Sequence, residues 1–359
     1  MLIKEATIFV EGGIGKNICA TRGIYALKKI CEKINVICSH PAVFFNFISE
    51  ENLYTFDEPK LYNKIKNSDI FIQGNIYSNS LWFKQKENMV ELWNRLIFEK
   101  VLSYFQKENK KIAEKLFNYF NSENIEINNK DENEIKALKE FVLELKKDYG
   151  YLIVSEREIN ILEAYLRQQF NLNLNTLFIL FQPFGGNSAG TGNDNPYRNI
   201  PLELLNSILN NFTQLRIPVI HIKSPQEPNL NLPFIQDIRL AIASCLFAKS
   251  FVGIDSFLQH AWLGINYKDI ENEGKLKRKG IVIFGSTSPI SNGYKYNENI
   301  FVKNCEMQPC MRPSYFFTDF ILQGRIWECQ YDIICLKKID VKLIFEKLES
   351  ILKEQIEIA

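Results

Sequence analysis

The stretch FVGIDSFLQHAWLGI, residues 251–265, changes from one kind of secondary structure to another without a linker. Its first residues are mainly apolar and predict a buried strand, and the apolar residues after Ser256 follow a helical spacing. Asp255, Ser256 and His260 therefore lie where a strand ends and a helix begins. Asp and Ser are typical N-caps of helices. Phosphate groups also bind at the strand ends and helix N-termini of open α/β sheets, so a cap and a ligand site both fit.

The second half of the chain repeats this alternation of strand and helix. Strands are predicted in TLFILFQPFGG from Thr176 and at residues 217–224 and 280–289, and helices at residues 201–212 and 237–250. Such an alternation predicts a parallel sheet with crossover helices. The chain closes with DVKLIFEKLESILKEQIEI, which predicts a long amphipathic helix.

The first half has the same rhythm with an added helical region. Predicted strands occupy residues 5–11, 35–45 and 68–75, with a helix at residues 20–34 and charged helical patterns at residues 82–147. The predicted fold class is therefore α/β, with two Rossmann-like domains that each contain a parallel sheet. The first domain spans residues 1–170 with its helical insertion, the second spans residues 171–340, and the C-terminal helix spans residues 341–359.

The composition excludes several classes of protein. A chain of 359 residues exceeds one ordinary core, which favours two domains, and its 46% hydrophobic and 24% charged residues are typical of a globular protein. The net charge of +1 offers no electrostatic case for nucleic acid as a partner. No apolar run approaches the ~20 residues of a transmembrane helix, and the N-terminus lacks a signal-peptide pattern. We expect a cytoplasmic protein whose eight cysteines stay reduced.

The glycine-rich turn GGIGKN, residues 12–17, lies between the first strand and the first helix. Backbone N–H groups and the helix dipole favour an anion at such a place, which makes Gly13, Gly15 and Lys16 candidates for phosphate binding. The turn matches neither the dinucleotide nor the P-loop pattern, and a tight turn with positive φ explains the glycines equally well. Lys16 is more informative, because an ammonium beside such a turn can neutralise a phosphate.

Basic residues also follow the predicted strands of the second half. Gly185 lies in QPFGG after one strand, Arg198 precedes a helix, and Lys223 ends the next strand. Since the carboxyl ends of parallel strands meet at one edge, these residues would converge with Asp255 and Ser256 on one crevice. An arginine alone is more often solvent-facing, but the convergence favours a diphosphate site that an arginine can bind through two hydrogen bonds.

Three motifs, in this order, resemble those of glycosyltransferase family nine, the heptosyltransferases: GGIGKN with ATRGIYALKK, then VGIDSFLQHAWLGI, then VIFGSTSP. The resemblance covers the ends and the second half of the chain and is thin from about residue 55 to 165. It implies a GT-B fold of two facing Rossmann-like domains, the first for the acceptor and the second for the nucleotide-sugar. It also implies that Asp255, Ser256 and His260 surround the donor diphosphate and that Arg198 contacts a phosphate.

The activity that this resemblance implies is an inverting transfer of a sugar to a hydroxyl of a glycan or a protein. The simplest donor is ADP-heptose, and no organic cofactor is implied. Two other functions stay open. A Rossmann oxidoreductase is weakened because no dinucleotide fingerprint follows either first strand. A non-catalytic binding or assembly protein would keep the fold without the chemistry, and the oligomeric state is open.

Two positions depart from the family pattern. Phe257 stands where the family usually has Gly, and Lys16 stands where it has the Asp proposed as catalytic base. Lys16 is then better interpreted as an electrostatic stabiliser of the departing diphosphate, because an ammonium cannot accept a proton at neutral pH unless burial depresses its pKa. The base has to lie elsewhere, and Asp57, Glu58 and Asp69 are candidates by location only.

Four cysteines cluster near the C-terminus, in the segment from residue 305 to residue 335. They are Cys305, Cys310, Cys329 and Cys335, separated by four, eighteen and five residues. The spacing is similar to two cysteine knuckles that close one tetrahedral metal site, although four unrelated buried thiols are the alternative. Autotransporter heptosyltransferases carry a similar four-cysteine iron finger. The prediction is one structural iron or zinc ion per chain.

Overall fold

The computed structural model describes residues 2–59, 61–74, 87–128, 130–185, 198–268, 270–271, 278–306, 308–310, 329 and 331–357. These residues form two compact units, the first within residues 1–76 and 87–153 and the second within residues 154–359. No helix in the described part of the chain combines the length and the apolar character that crossing a membrane requires.

The first unit is built on a parallel sheet. Its strands are β1 (Ile3–Val10), β2 (Cys31–Cys38), β3 (Leu53–Tyr54) and β4 (Ile70–Gln73). They lie in the order β3-β2-β1-β4, and all neighbours are parallel. The predicted parallel sheet is therefore confirmed. Helix α1 (Ile14–Leu27) connects β1 to β2, and the short α2 (Leu61–Asn67) precedes β4.

The predicted helix at residues 20–34 is wrong at both ends. Helix α1 begins at Ile14, inside the glycine-rich turn, and ends at Leu27. Strand β2 begins at Cys31, which pairs with Ile3 of β1. Residues 31–34 therefore belong to a strand although their apolar spacing also fits a helix. Pairing with a neighbouring strand outweighs a local periodicity.

The helical region after β4 packs onto α1. It contains α3 (Met89–Glu108), α4 (Lys110–Asn121) and α5 (Asn133–Leu145), as the charged periodicity predicts. Asn88 caps α3 by accepting from the N–H groups of Val90 and Glu91. The fully buried Arg22 of α1 donates to Glu144 of α5 at 2.5 Å, and its Nε and Nη2 donate to the main-chain carbonyls of Tyr149 and Gly150. These three bonds hold α1 against α5 and the segment that follows it.

The second unit contains a six-stranded parallel sheet. After β5 (Leu152–Val154) and α6 (Glu156–Phe170), its elements are β6 (Ile179–Gln182), α7 (Leu202–Phe212), β7 (Val219–Ile222), β8 (Phe234–Ile235), α8 (Ile238–Ser244), β9 (Ser250–Ile254), α9 (Phe257–Gly264), β10 (Ile265–Tyr267), β11 (Ile281–Phe284), α10 (Pro289–Asn292), β12 (Glu298–Phe301), α11 (Ile334–Lys337) and α12 (Val341–Glu357). The sheet order is β12-β11-β9-β6-β7-β8. Its core includes Phe181, Phe212 and Val252, and the C-terminal helix α12 contributes Phe345 and Leu348.

The boundary between the units lies after residue 153, whereas the sequence places it at residue 170. The difference concerns α6, which bonds within the second unit. Glu158 of α6 accepts from Arg239 of α8 at 2.6 Å, and Tyr165 donates to the carbonyl of Phe234 at 2.8 Å. Both bonds join α6 to residues about 70 or 80 positions further along the chain. A local pattern of residues cannot indicate such long-range partners.

Candidate functional site

The carboxyl edge of the second sheet brings together three of the predicted donor-site residues. Arg198 Nη1 donates to the main-chain oxygen of Asp255 at 3.1 Å. The Gly185 N–H donates to Asn199 Oδ1 at 2.8 Å, and a Cβ on Gly185 would lie 3.4 Å from Arg198 Nη2. Gly185, Arg198 and Asp255 therefore adjoin one another after β6, before α7 and after β9.

The guanidinium of Arg198 retains an unused donor. Its Nε is buried and has no hydrogen-bond partner among the described residues. A buried donor without an acceptor costs about 1–3 kcal/mol, so buried polar groups are normally paired. An anionic ligand at this edge would supply the missing acceptor.

The carboxylate of Asp255 is used internally. Only 3% of the residue is exposed, Oδ1 accepts from Gln259 Nε2 at 2.7 Å, and Oδ2 accepts from Asn292 Nδ2 at 2.7 Å. The acid thus joins α9 to α10 while its main-chain oxygen holds Arg198. This arrangement agrees with a positioning role rather than with direct contact to an anion.

The cap of α9 differs from the expectation that Asp255 and Ser256 provide it. Ser256 is the N-cap residue but makes no side-chain capping bond. The N–H of Leu258 instead donates to Gln182 Oε1 at 2.8 Å, from the end of β6. Ser256 Oγ lies 3.5 Å from Gln182 Nε2. In the sequence, Gln182 is visible only as a polar residue at the end of the apolar run FILFQ. Capping rules consider residues close in sequence, so they do not connect Gln182 to a distant helix.

His260 is a neutral residue at this edge. Its Nδ1 lies 2.7 Å from the hydroxyl of Tyr294. Burial lowers the pKa of His260 to about 4, an effect that Asp255 opposes and Arg198 strengthens. The imidazole therefore carries no charge at neutral pH.

Lys223 contacts the edge strand of the second sheet. Its ammonium lies 5.2 Å from the ring centre of Phe234 on β8, and its main-chain N–H donates to the carbonyl of Ile235. In the sheet order, β6 and β7 separate β8 from β9, the strand that precedes Asp255. The role of Lys223 in a donor site stays a prediction.

The loop after β11 follows the same carboxyl edge, since β11 pairs with β9. It is the FGSTSP segment of the sequence. Ser288 caps α10 by accepting from the N–H of Ile290 at 3.2 Å. Thr287 is 6% exposed, and its hydroxyl has no partner among the described residues. The hydroxyl of Thr287 is thus a second buried polar group at this edge, besides Arg198 Nε, that could still form a hydrogen bond.

In the first unit, the glycine-rich turn holds a lysine against its backbone. Gly12 has a φ of 95°, which favours glycine, and a Cβ there would lie 2.5 Å from Lys16 Cδ. Asn17 closes the turn by donating to the carbonyls of Gly12 and Gly13 at 3.1 and 3.0 Å. Gly13 is the N-cap of α1, with open space where a Cβ would stand, and Gly15 lies in the first turn. The space beside the N-cap of α1 is therefore open at Gly13.

Lys16 has an unusual protonation equilibrium. Burial lowers the pKa of its ammonium from 10.5 to about 8, although the charges of Glu11 and Cys19 raise it. Lys16 remains mostly charged at neutral pH, as a stabilising role requires, and it becomes neutral under mildly alkaline conditions. The depressed pKa is the condition under which a lysine can also act as a base.

The base candidates are placed differently along the first sheet. Asp69 precedes β4 and accepts from the N–H groups of Lys4 and Glu5, at the amino edge opposite to Lys16. Asp57 follows β3 and is exposed, and a hydrogen bond from Thr55 lowers its pKa. Asp69 is therefore at the wrong edge for a group bound near Lys16. Glu58 lies next to Asp57 and is also exposed.

The four late cysteines all lie in the second unit, after β12. Cys305, Cys310 and Cys329 are partly exposed, and Cys335 is buried. Burial raises the pKa of the Cys310 thiol to about 12, and the charges of the other three cysteines raise it as well. No group of three or more His, Cys, Asp or Glu side chains within the described residues is arranged to hold a metal ion. The predicted metal site is therefore not confirmed.

Comparison with solved structures identifies the fold. No protein-family model and no curated protein matches the sequence. The glycosyl transferase family 9 structure from Veillonella parvula DSM 2008 aligns at a TM-score of 0.53 and 13% identity, over 98% of this chain and 97% of that chain. The iron-containing dodecameric glycosyltransferase TibC from enterotoxigenic E. coli H10407 aligns at 0.54 and 9% identity, over 99% and 78%. The chain has a GT-B fold. The fold expected from the three motifs is thus confirmed.

Three residues of this GT-B fold were not singled out from the sequence. Gln182 caps α9, Asn292 holds the carboxylate of Asp255, and Glu11 acts on the charge of Lys16. Gln182 and Glu11 directly end or follow strands, so their position at a sheet edge was the available signal. Asn292 lies in a short helix after FGSTSP, and nothing in its local sequence indicates its partner.

Replacement of Lys16 by Met should change how stability depends on pH. In wild type, the charged side chain is disfavoured by burial below pH 8, and this penalty disappears as the pH rises from about 8 to 10.5. The unfolding free energy of wild type should therefore rise relative to Lys16→Met by about 3 kcal/mol across that interval. Urea unfolding at a series of pH values measures this difference. A constant difference would contradict the burial of an ionisable Lys16, and Lys111→Met, at an exposed position, provides the control.

Proposed function

We propose that this protein is a glycosyltransferase that moves a sugar from a nucleotide-diphosphate donor to a hydroxyl acceptor. The simplest donor is ADP-heptose, the acceptor is a glycan or a protein, and the transfer inverts the anomeric centre. The observation that carries the proposal is the guanidinium of Arg198. It is held by the Asp255 carbonyl, and its buried Nε has no partner among the described residues at the carboxyl edge of a parallel sheet.

The chemistry of this edge suits a diphosphate. A guanidinium and hydroxyl donors bind phosphate oxygens through charge-assisted hydrogen bonds. The N–H of Leu258 is already used by Gln182, so the unused donors are Arg198 Nε and the hydroxyl of Thr287. Asp255 and its amide partners hold these groups in place. The neutral His260, bonded to Tyr294, adds no charge that would compete with Arg198 for the anion.

Lys16 is proposed to stabilise the negative charge that develops during transfer. Such charge stabilisation in a site that excludes water contributes more than it would in water. With a pKa of about 8, Lys16 supplies this charge at neutral pH. The base that takes the acceptor proton is then a carboxylate of the first unit. Glu11, which follows β1 and acts on Lys16, is better placed for this role than Asp69.

A structural metal is proposed for the cysteine cluster. Thiolates select soft metals such as iron and zinc, and TibC, described as iron-containing, shares the fold. The ligands would be Cys305, Cys310, Cys329 and Cys335, and the ion would offset the mutual repulsion of their thiolates. Such a site would supply folding energy and no chemistry to the transfer.

Removal of the guanidinium should weaken nucleotide binding. Arg198→Ala loses a charge-assisted contact of about 1.5–3 kcal/mol, so calorimetry should show an affinity for ADP that is lower by one to two orders of magnitude. Arg198→Lys keeps the charge but not the Nε donor and should restore only part of the affinity. Arg167→Ala, at an exposed arginine of α6, is the control. Unchanged affinity in Arg198→Ala would overturn the donor site.

The pH dependence of transfer separates the two roles open to Lys16. If Lys16 is a stabiliser, the rate of wild type should fall as the pH rises through about 8, since the ammonium is lost. Lys16→Arg, which stays charged, should keep its rate over this range. Lys16→Ala should lower the turnover by about two orders of magnitude or more, and Lys16→Asp should not restore it. A rate that rises through pH 8, or rescue by Asp, would make Lys16 the base.

These assays also separate the proposal from a non-catalytic binding protein. A binding protein would bind ADP but neither transfer nor hydrolyse a nucleotide-sugar. Consumption of ADP-heptose by purified protein, absent in Arg198→Ala, is the result expected of the enzyme.

Elemental analysis tests the metal. Purified protein should contain about one iron or zinc per chain under four-thiolate coordination. Cys329→Ser should lose the metal and unfold at a lower temperature, whereas Cys31→Ser, in β2 of the first unit, should keep the metal. Metal-free wild type that folds normally, or full occupancy in Cys329→Ser, would refute the site.

A further inference from the structure

The side chain of Gln308 connects two segments of the second unit. One is the turn that begins at Cys305, the first residue of the cysteine cluster (Cys305, Cys310, Cys329 and Cys335), and the other is the loop after β11. Gln308 is 3% exposed. Its Oε1 accepts from the N–H groups of Asn304 and Cys305, at 2.9 and 3.2 Å, and its Nε2 donates to the carbonyl of Gly285 at 3.0 Å. Its own N–H donates to the carbonyl of Cys305. One buried amide thus closes the turn that begins at the first cysteine and fastens that turn to the loop after β11.

The other end of the cluster contacts the same glycine. A Cβ on Gly285 would lie 2.8–3.0 Å from the side-chain carbons of Leu336, the residue that follows Cys335 in α11. Any larger residue at position 285 would therefore have to displace the side chain of Leu336. Gly285 is thus contacted by two cysteine-bearing segments. Gln308, near Cys305, donates a hydrogen bond to its carbonyl, and Leu336, next to Cys335, packs against its Cα.

The residues that follow Gly285 lie at the carboxyl edge of the second sheet, near Asp255 and Arg198. Thr287, with its unpartnered hydroxyl, and Ser288, the cap of α10, follow within three residues. Asn292 at the end of α10 donates to the Asp255 carboxylate, and the Asp255 carbonyl accepts from Arg198. A continuous path of hydrogen bonds and one short helix therefore joins the cysteine cluster to the guanidinium.

We propose that Gln308 is a positioning residue that couples the state of the cysteine cluster to the loop of residues 285–292 and, through it, to nucleotide binding. When the thiols are held together, Gln308 fixes the Gly285 carbonyl and the loop is ordered. When the thiols are released or alkylated, this restraint is lost. The coupling is reciprocal, because a ligand that favours the ordered loop must also favour the closed cluster. The nucleotide part rests on the proposed donor site, and the loop part rests on the proposed metal site of the four cysteines.

Two substitutions divide the contacts of Gln308. Gln308→Glu keeps an oxygen for the Asn304 and Cys305 N–H groups but presents an acceptor to the Gly285 carbonyl, so it breaks only the connection to the loop. Gln308→Ala removes all of these contacts. Asn297→Ala is a matched control, because Asn297 is also a buried amide and accepts from the N–H of Gly280 at the other end of β11.

The experiment combines thiol alkylation with hydrogen exchange. Full-length protein is treated with a metal chelator and iodoacetamide, which should reach the partly exposed Cys305, Cys310 and Cys329 before the buried cysteines. Amide exchange is then measured by mass spectrometry at residues 285–292. In wild type and Asn297→Ala, alkylation should speed exchange there by about tenfold, the size of one lost hydrogen bond. In Gln308→Glu, exchange should be fast before alkylation and should change little after it.

Calorimetry with ADP gives a second measurement. Alkylation should weaken ADP binding of wild type and Asn297→Ala by about tenfold, and Gln308→Glu should be weakened to a similar extent without alkylation. Loop exchange that does not change on alkylation in wild type, or that changes on alkylation in Gln308→Glu as much as in wild type, would overturn the coupling. Failure of unmodified wild type to bind ADP would instead refute the proposed function, while the exchange result would still decide the role of Gln308.

Discussion

The carboxyl edge of the second sheet depends on how one buried carboxylate is paired. Asp255 is almost fully buried, and an unpaired charge at such a place would cost several kcal/mol. Its two oxygens are satisfied by Gln259 of α9 and Asn292 of α10, and its carbonyl binds Arg198. Because these partners come from three separate segments, satisfying one acid fixes the relative positions of all three.

The same edge contains polar groups that stability alone does not explain. Most buried donors in proteins are paired, yet Arg198 Nε and the Thr287 hydroxyl have no partner among the described residues. Lys16 in the first unit is likewise held in surroundings that disfavour its charge. Proteins accept such costs mainly where a ligand or a reaction makes use of them. Each unit thus contains, at the carboxyl edge of its parallel sheet, polar or charged groups whose burial is energetically unfavourable.

The sequence predicted the elements better than their contacts. Alternating strands and helices, the two parallel sheets and the closing helix follow from local apolar periodicity, and the structure confirms them. The errors occur where a distant partner decides. Residues 31–34 join β2 because β1 offers a ladder, and α6 belongs to the second unit because Glu158 pairs with Arg239. Periodicity within a window contains no information about such partners.

The sequence by itself determined which residues lie at the sheet edges. Once strands are parallel, whatever follows each strand must lie at the same edge, so Gly185, Arg198 and Asp255 could be grouped without a structure. Only the tertiary structure decided which of these groups pair with one another. The side chain of Gln182 caps a helix 76 residues further along the chain, and the ammonium of Lys223 lies over the ring of Phe234. The protonation of Lys16 was also decided there, because a pKa depends on burial and on neighbouring charges that the folded chain assembles from separate segments.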